Sequence, residues 1–272
     1  MLSWAEDKIK VRELMRARRY AEVIAHLRQE LGNSPENIAA IEVMAQALRA
    51  NEEYAEALVF FERLAAHDRE DKVANTLAPG RAAWQIDIAC LHWLADDHSR
   101  AVELMHGLAA GILDGSIKYG DAAGGMSQGL LLYYMAITDH LSKEALFALD
   151  YLRNRIKRIL GQVGPSPAAQ YYISQVWPSP VARYYSGDVA FDEVMEAVNR
   201  QPTLAKPDQA KLELGRRRRL SVALFHDGLR FRARDDEGNC LARMRECCRL
   251  ENPMIEQEWY LARYEVRKAD GG

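Results

Sequence analysis

The chain has few of the residues that interrupt helices and few that bind metals. Its 272 residues include 9 prolines and 4 cysteines, and the cysteines form no CxxC pair. Cys240, Cys247 and Cys248 fall within nine residues of one predicted helix, while the histidines are scattered elsewhere, a pattern that disfavours a zinc site. We therefore expect reduced thiols in a reducing compartment, with no metal and no cofactor.

Long apolar runs and a strong charge excess are also missing. The longest apolar run, residues 129–137, is about half the length that a membrane-spanning helix needs. Residues 1–14 have no apolar core of secretory-signal length, which predicts a cytoplasmic protein with no membrane partner. The formal net charge of -3 disfavours nucleic-acid binding, which usually needs a basic excess, although the basic runs 153–158 and 216–219 keep it as an alternative.

The chain is rich in helix-forming residues and contains a residue pattern that repeats at a spacing of 34 residues. Tyr20, Val23 and Leu27 return as Tyr54, Ala57 and Phe61. Three positions at one period predict a repeated helical hairpin. Such a unit cannot bury its apolar face alone, so it stacks on its neighbours and leaves an extended binding surface.

The helical pattern continues along the chain and predicts an all-α fold. Helices are expected over residues 4–16, 20–31, 37–50, 54–67, 82–94, 99–113, 126–139, 142–160, 190–198, 209–233, 239–250 and 254–268. Loops are expected over 68–81, 113–125 and 161–167, where Gly, Pro and polar residues cluster. The predicted organisation is helical hairpins over 1–160, an irregular linker with a short helix over 161–207, and a final hairpin with a capping helix over 208–272.

These positions resemble the tetratricopeptide repeat family. Ala45 and Ala57 match the small residues that let the family's two helices pack closely, and Phe61 matches the large residue four positions later. Pro35 lies where the family's proline closes a unit, while Ile41 and Ala45 replace its tryptophan and glycine. The resemblance implies a right-handed superhelix of antiparallel hairpins, a tetratricopeptide-like α-solenoid with a carboxyl-terminal capping helix.

Later segments carry the same register. The small, small and large positions fall on Ala89, Ala101 and Met105, and again on Gly228, Cys240 and Met244. Residues 177–188, WPSPVARYYSGD, together with the late hairpin, resemble the carboxyl half of a bacterial tetratricopeptide lipoprotein family that scaffolds cell-wall hydrolases. That family's lipid anchor is missing from this sequence, so its location does not carry over.

The resemblance also implies where a partner would bind. In the tetratricopeptide family the first helix of each hairpin lines the concave groove. Carried onto this sequence, that register assigns partner contacts to Glu42, Gln46, Arg49, Trp93 and Tyr134. Arginine and aromatic side chains are typical interface anchors.

No local signature of catalysis is present. No Ser/His/Asp or Cys/His set has a recognisable spacing, and residues 120–125 lack the Lys and Ser/Thr of a phosphate-binding P-loop. We predict a protein that is not an enzyme and binds a partner protein or peptide in a helical-repeat groove. An immunity protein that neutralises a cognate bacterial toxin, and an enzyme with a site within residues 115–134, are the alternatives; a homodimer is left open.

Overall fold

The computed structural model describes residues 4–70, 79–117, 125–163, 176–200, 209–251 and 256–271. Within these segments the chain forms helices and no strand, which confirms the all-α prediction. The helices are α1 (Trp4–Arg16), α2 (Tyr20–Asn33), α3 (Ile38–Ala50), α4 (Tyr54–Glu70), α5 (Pro79–Leu94), α6 (His98–Asp114), α7 (Met126–Thr138), α8 (Ser142–Val163), α9 (Ser179–Ser186), α10 (Phe191–Asn199), α11 (Gln209–Arg232), α12 (Glu237–Arg249) and α13 (Gln257–Ala269). In the described part, no helix combines the length and apolar character needed to cross a membrane.

Several predicted helix boundaries differ from the structure, among them both ends of the segment 68–81. α4 extends to Glu70 and α5 begins at Pro79, so both ends of the segment assigned to a loop are helical. Proline suits that first position because its missing N–H would have no partner there. The short helix α9 was not predicted, because Pro178 and Pro180 suggest irregular backbone, yet Pro180 lies in the first turn of α9, where proline is tolerated.

One turn geometry joins six consecutive helix pairs. In each turn a residue has positive φ, and the N–H of the next residue donates to a carbonyl five residues earlier. The positive-φ residues are Arg18, Glu52, Asp96, His140, Gly187 and Asp235, and the donor–acceptor pairs are Arg19–Leu14, Glu53–Leu48, Asp97–His92, Leu141–Ala136, Asp188–Arg183 and Asp236–Phe231. This is the Schellman pattern that ends helices, and it turns the chain back after each first helix.

Two compact units make up the chain. The amino-terminal unit holds the described residues 4–70 and 79–101. Its consecutive helices α1 to α5 pack one on the next. The small side chains of Ala45, Ala57 and Ala89 are fully buried, as the repeat register predicts, so neighbouring helix backbones can approach closely.

The carboxyl-terminal unit holds the described residues from Val102 onward. Here the first helices of successive pairs also contact one another, since α7 packs on α9 and α11, α9 on α11, and α11 on α13. A Cβ on Gly228 would lie 3.2 Å from the carbonyl oxygen of Cys240 and 3.3 Å from Met244. The small position predicted at Gly228 therefore lies at a close helix crossing.

Candidate functional site

Two residues assigned to the partner groove are half-buried neighbours on α3. Gln46 Nε2 donates to Glu42 Oε1 at 3.5 Å, and both side chains keep partial contact with solvent. Partner binding by Glu42 and Gln46 stays a prediction.

Arg49 and Trp93 lie inside the amino-terminal unit. Arg49 is 2% exposed and forms an ion pair with Asp87 of α5, and its guanidinium carbon lies 5.5 Å from the centroid of the Phe61 ring. Trp93 is fully buried and stacks on His98 with ring centroids 3.8 Å apart. The structure therefore assigns these two side chains an internal packing role in place of the expected open groove.

Tyr134 is also inside the fold, in the carboxyl-terminal unit. Its side chain is fully buried, its hydroxyl donates to Glu265 Oε1 at 2.7 Å, and its ring meets Phe225 edge-on at 5.0 Å. These partners belong to α13 and α11. The side of α7 that the family register assigns to a groove is thus occupied by other helices of the same chain.

A buried polar network fills the space between the first helices of this unit. Tyr185 Oη lies 3.0 Å from His226 Nδ1, and His226 Nε2 lies 3.4 Å from Glu258 Oε1. Beside them, Asp227 Oδ1 accepts from the Tyr184 hydroxyl at 2.7 Å and its Oδ2 accepts from Arg243 Nε at 2.7 Å. We call these side chains the buried polar network, of which Tyr184 is half-buried: Tyr134, Tyr184, Tyr185, His226, Asp227, Glu258 and Glu265.

Burial sets the acid–base character of this region. It raises the pKa of Tyr184 to about 12, helped by the hydrogen bond to Asp227, and it raises the pKa of Tyr185 well above 10.0. Burial likewise raises the pKa of Cys240 to about 12 and that of Cys247 well above 9.0. Protonated tyrosines and thiols act as neutral packing and hydrogen-bonding groups, because a reactive cysteine requires a lowered pKa.

One end of the network opens into a surface cleft of about 590 Å³, the hairpin-turn cleft. The α7–α8 turn, the α11–α12 turn and α13 contribute its walls. Its lining residues are Ala136, Ile137, Thr138, His140, Ser142, Ala145, Arg232, Ala233, Asp235, Glu237, Glu265 and Lys268. The Schellman turns at His140 and Asp235 thus bring two hairpin ends to one site.

The floor of the cleft is fixed by the Arg232 guanidinium. Its Nη2 donates to Glu265 Oε2 at 2.9 Å and to Glu237 Oε1 at 2.6 Å, and its Nη1 donates to Thr138 Oγ1 at 3.0 Å. Burial lowers the pKa of Arg232, but the hydrogen bonds to Glu237 and Glu265 outweigh that effect and raise it above 12.5. Because Glu265 also accepts from Tyr134, the floor continues into the buried core.

The rim of the cleft carries exposed charge of both signs. His140, Asp235 and Lys268 are exposed. The Ser142 N–H donates to the His140 carbonyl oxygen at 3.2 Å within the α7–α8 turn.

Comparisons with family models, curated proteins and solved structures find no match for this chain. Membership of the tetratricopeptide family therefore stays a prediction from the residues. Sequence reasoning missed the cleft because its floor joins Thr138 to Arg232 and Arg232 to Glu265. For the buried polar network, by contrast, a signal was available in the doublets at 133–134, 184–185 and 226–227.

Proposed function

We propose that this chain is a non-catalytic protein-binding module built from stacked, tetratricopeptide-like helical hairpins. We further propose that a segment of the partner lies in the hairpin-turn cleft. The observation that carries the proposal is the cleft itself, about 590 Å³ in volume, with a floor held by Arg232 and Glu265. That volume lies within the range of about 300–1,000 Å³ typical of pockets for small ligands, so it has room for side chains of a partner segment.

The cleft is a better candidate than the first-helix side of the carboxyl-terminal unit. On that side Tyr134, Tyr185 and His226 are buried, and the Tyr134 and Tyr185 hydroxyls already bond to neighbouring helices, so a partner would have to break the network to reach them. The cleft rim is already exposed. Its floor is preorganised by hydrogen bonds, which lowers the entropy lost when a partner binds.

The lining favours a partner segment with a basic side chain. Arg232 and Lys268 supply two positive charges at neutral pH. Asp235, Glu237 and Glu265 supply three negative charges, so the formal charge of the lining is -1 with histidine neutral. Small apolar residues, Ala136, Ala145 and Ala233, leave room for a peptide backbone between the charged groups. Complementary charge of this kind steers association and fixes register.

Site-specific photo-crosslinking in source cells tests the proposal. A crosslinking residue is placed at His140 or at Lys268, and matched controls are placed at Leu146, which is 63% exposed on α8, and at exposed Lys157. We expect one partner polypeptide to be captured from the two cleft positions and not from the controls. Equal capture at all four positions, or none at the cleft, contradicts the proposal. If the captured partner is a toxin, the immunity-protein alternative becomes the specific form of the function.

A further inference from the structure

α7 begins at a buried end whose N-cap residue contributes no side-chain cap. Its N-cap residue is Gly125, with φ 83°, and glycine offers no side-chain oxygen to the N–H groups of the first turn. Met126, the first helical residue, is fully buried. The first N–H groups of a helix lack intrahelical acceptors and carry a partial positive charge, so this end is predisposed towards an anion.

Gln128 supplies an independent observation at the same place. The side chain is completely buried, and among the residues that the structure describes neither its Nε2 nor its Oε1 has a hydrogen-bond partner. The amide points back to the start of the helix, since Oε1 lies 3.3 Å from the position that a Cβ on Gly125 would take. Buried polar groups in native proteins are almost always paired, so this amide indicates a missing partner.

Gly125 lets neighbouring side chains pack tightly against the start of α7. A Cβ there would lie 2.9 Å from Tyr151 Oη and 3.1 Å from Ile112 Cδ1. The Tyr151 hydroxyl donates to the Gly125 carbonyl oxygen at 2.7 Å, which holds the peptide in place. Any other residue at this position would push against Tyr151 and Ile112 beside the Gln128 amide.

We propose that a small ligand bearing a carboxylate or phosphate group binds at the start of α7. The Gln128 Nε2 and the first-turn N–H groups donate to the oxyanion, while Gln128 Oε1 accepts from a hydroxyl of the ligand. Helix N-termini bind such groups through this combination of N–H donors and dipole. The site lies about 18 Å along α7 from Thr138 of the hairpin-turn cleft, so it does not depend on the proposed protein-binding function.

The test compares the wild-type chain with Gln128→Met, a change that keeps the length of the side chain and removes both amide atoms. Inorganic phosphate and acetate are the two probes, each measured against sodium chloride of equal ionic strength. We expect at least one probe to raise the Tm of the wild-type chain by about 2–4 °C. The Gln128→Met chain should show no such rise and, without a probe, a Tm equal to or above that of wild type, since an unpaired buried amide has been removed.

The two probes distinguish a phosphate group from a carboxylate as the bound chemistry. No Tm rise with either probe, or an equal rise in Gln128→Met, overturns the proposal. A Gln128→Met chain that is destabilised and has lost no anion response overturns it as well, because the amide is then a structural group satisfied by water.

A second measurement needs no variant. Titration of the wild-type chain with phosphate and acetate, followed by NMR, should shift the Gln128 side-chain amide and the first-turn amides of α7. The first-turn amides of α3 should not shift, because the Asn37 side chain already caps that helix by accepting from the Ala40 N–H. Equal shifts at both helix ends, or none at α7, contradict a specific site.

Discussion

Both units of this protein are built from helix pairs with the same turn. The side chains that pack between the helices of each unit differ. Among the described residues of the amino-terminal unit, Arg49 and Asp87 are the buried polar or charged side chains; the carboxyl-terminal unit buries Gln128, Arg155, Ser179, Ser221, His226, Asp227, Gln257, Glu258 and Glu265. In the first unit, small apolar residues let helices pack closely. In the second, polar side chains link α7, α9, α11 and α13 and leave a charged cleft at their edge.

The contrast indicates a division of roles. Apolar packing at a repeated register stabilises a scaffold without specifying any chemistry, whereas hydrogen-bonded polar groups hold particular side chains in particular places. The fixed guanidinium of Arg232 is the clearest product of such a network. The predictions below ask whether the two units depend on these different interactions.

The largest expected effect is the loss of the Glu265 carboxylate. Glu265→Leu leaves the buried Tyr134 hydroxyl without its acceptor and removes one of the two carboxylates that pair with Arg232. We expect the free energy of unfolding of the carboxyl-terminal unit to fall by about 3–5 kcal/mol. Native-state hydrogen exchange measures this locally.

The matched control for that change is Glu246→Leu. Glu246 also pairs with an arginine, Arg243, but its side chain is 42% exposed. We expect the control to alter the free energy of unfolding by less than about 0.5 kcal/mol. Equal effects of the two substitutions would mean that the network contributes no more than a surface ion pair.

The amino-terminal unit should instead be most sensitive to volume. Ala57→Leu inserts a branched side chain at a fully buried small position, and we expect the free energy of unfolding of that unit to fall by about 1–3 kcal/mol. Ala55→Leu, at an exposed position of the same helix, should change it by less than about 0.5 kcal/mol. Chemical denaturation of both variants makes the comparison, and tolerance of Ala57→Leu would refute the close helix crossing.

Alkaline pH should weaken the carboxyl-terminal unit. The pKa of Cys240 is raised from 9.0 to about 12 and that of Tyr184 from 10.0 to about 12. The unfolded chain therefore releases these protons first, so stability is fully present below pH 9 and is lost between about pH 9 and pH 12. At pH 10 the ionisation of Cys240 in the unfolded chain lowers the free energy of unfolding by about 1 kcal/mol. Urea denaturation from pH 8 to pH 10.5 should show a smaller loss for Cys240→Ala than for wild type; an equal loss would contradict the assignment to this thiol.

The smallest expected effect concerns the helix-pair turns, whose geometry is the same in both units. Arg18 and Asp235 have φ of 59°, a conformation that disfavours side chains with a Cβ. Glycine at either position should raise the free energy of unfolding by about 0.5 kcal/mol, since relief of strain is partly offset by the flexibility of the unfolded chain. Valine should lower it by about 1 kcal/mol. Thermal denaturation of the four variants would reveal different turn energetics if the two positions responded oppositely.

The parts of the fold that the sequence predicts are those set by interactions between residues close together in the chain. Ala57, Phe61 and the turn near Glu52 follow from local periodicity, and the structure has a helical hairpin there. The pairing of Tyr134 with Glu265 spans 131 residues, and no local pattern encodes it. The same limit explains why Tyr134 and Trp93 were assigned to a groove: the helical register shows which side of a helix they lie on, but not which helix covers that side.

The hairpin-turn cleft shows the same limit. Its rim residues His140 and Asp235 occupy turns that the sequence indicates, yet nothing local reveals that the two turns share one cleft. Helix α9 was missed because its prolines suggest irregular backbone, although proline in the first turn is compatible with a helix. Non-local packing, more than helix propensity, therefore determines the candidate site.

The central claim is that a partner segment occupies the hairpin-turn cleft. It is tested most directly by measuring the dissociation constant of the captured partner for a variant whose cleft is obstructed. Ala233 is exposed and lines the cleft, so Ala233→Trp should fill it without disturbing the core. Ala95→Trp, at an exposed turn of the amino-terminal unit, is the control. We predict that Ala233→Trp weakens binding at least about tenfold, equivalent to about 1.4 kcal/mol, with Ala95→Trp unchanged. Equal affinity of the two variants for the partner would contradict the claim.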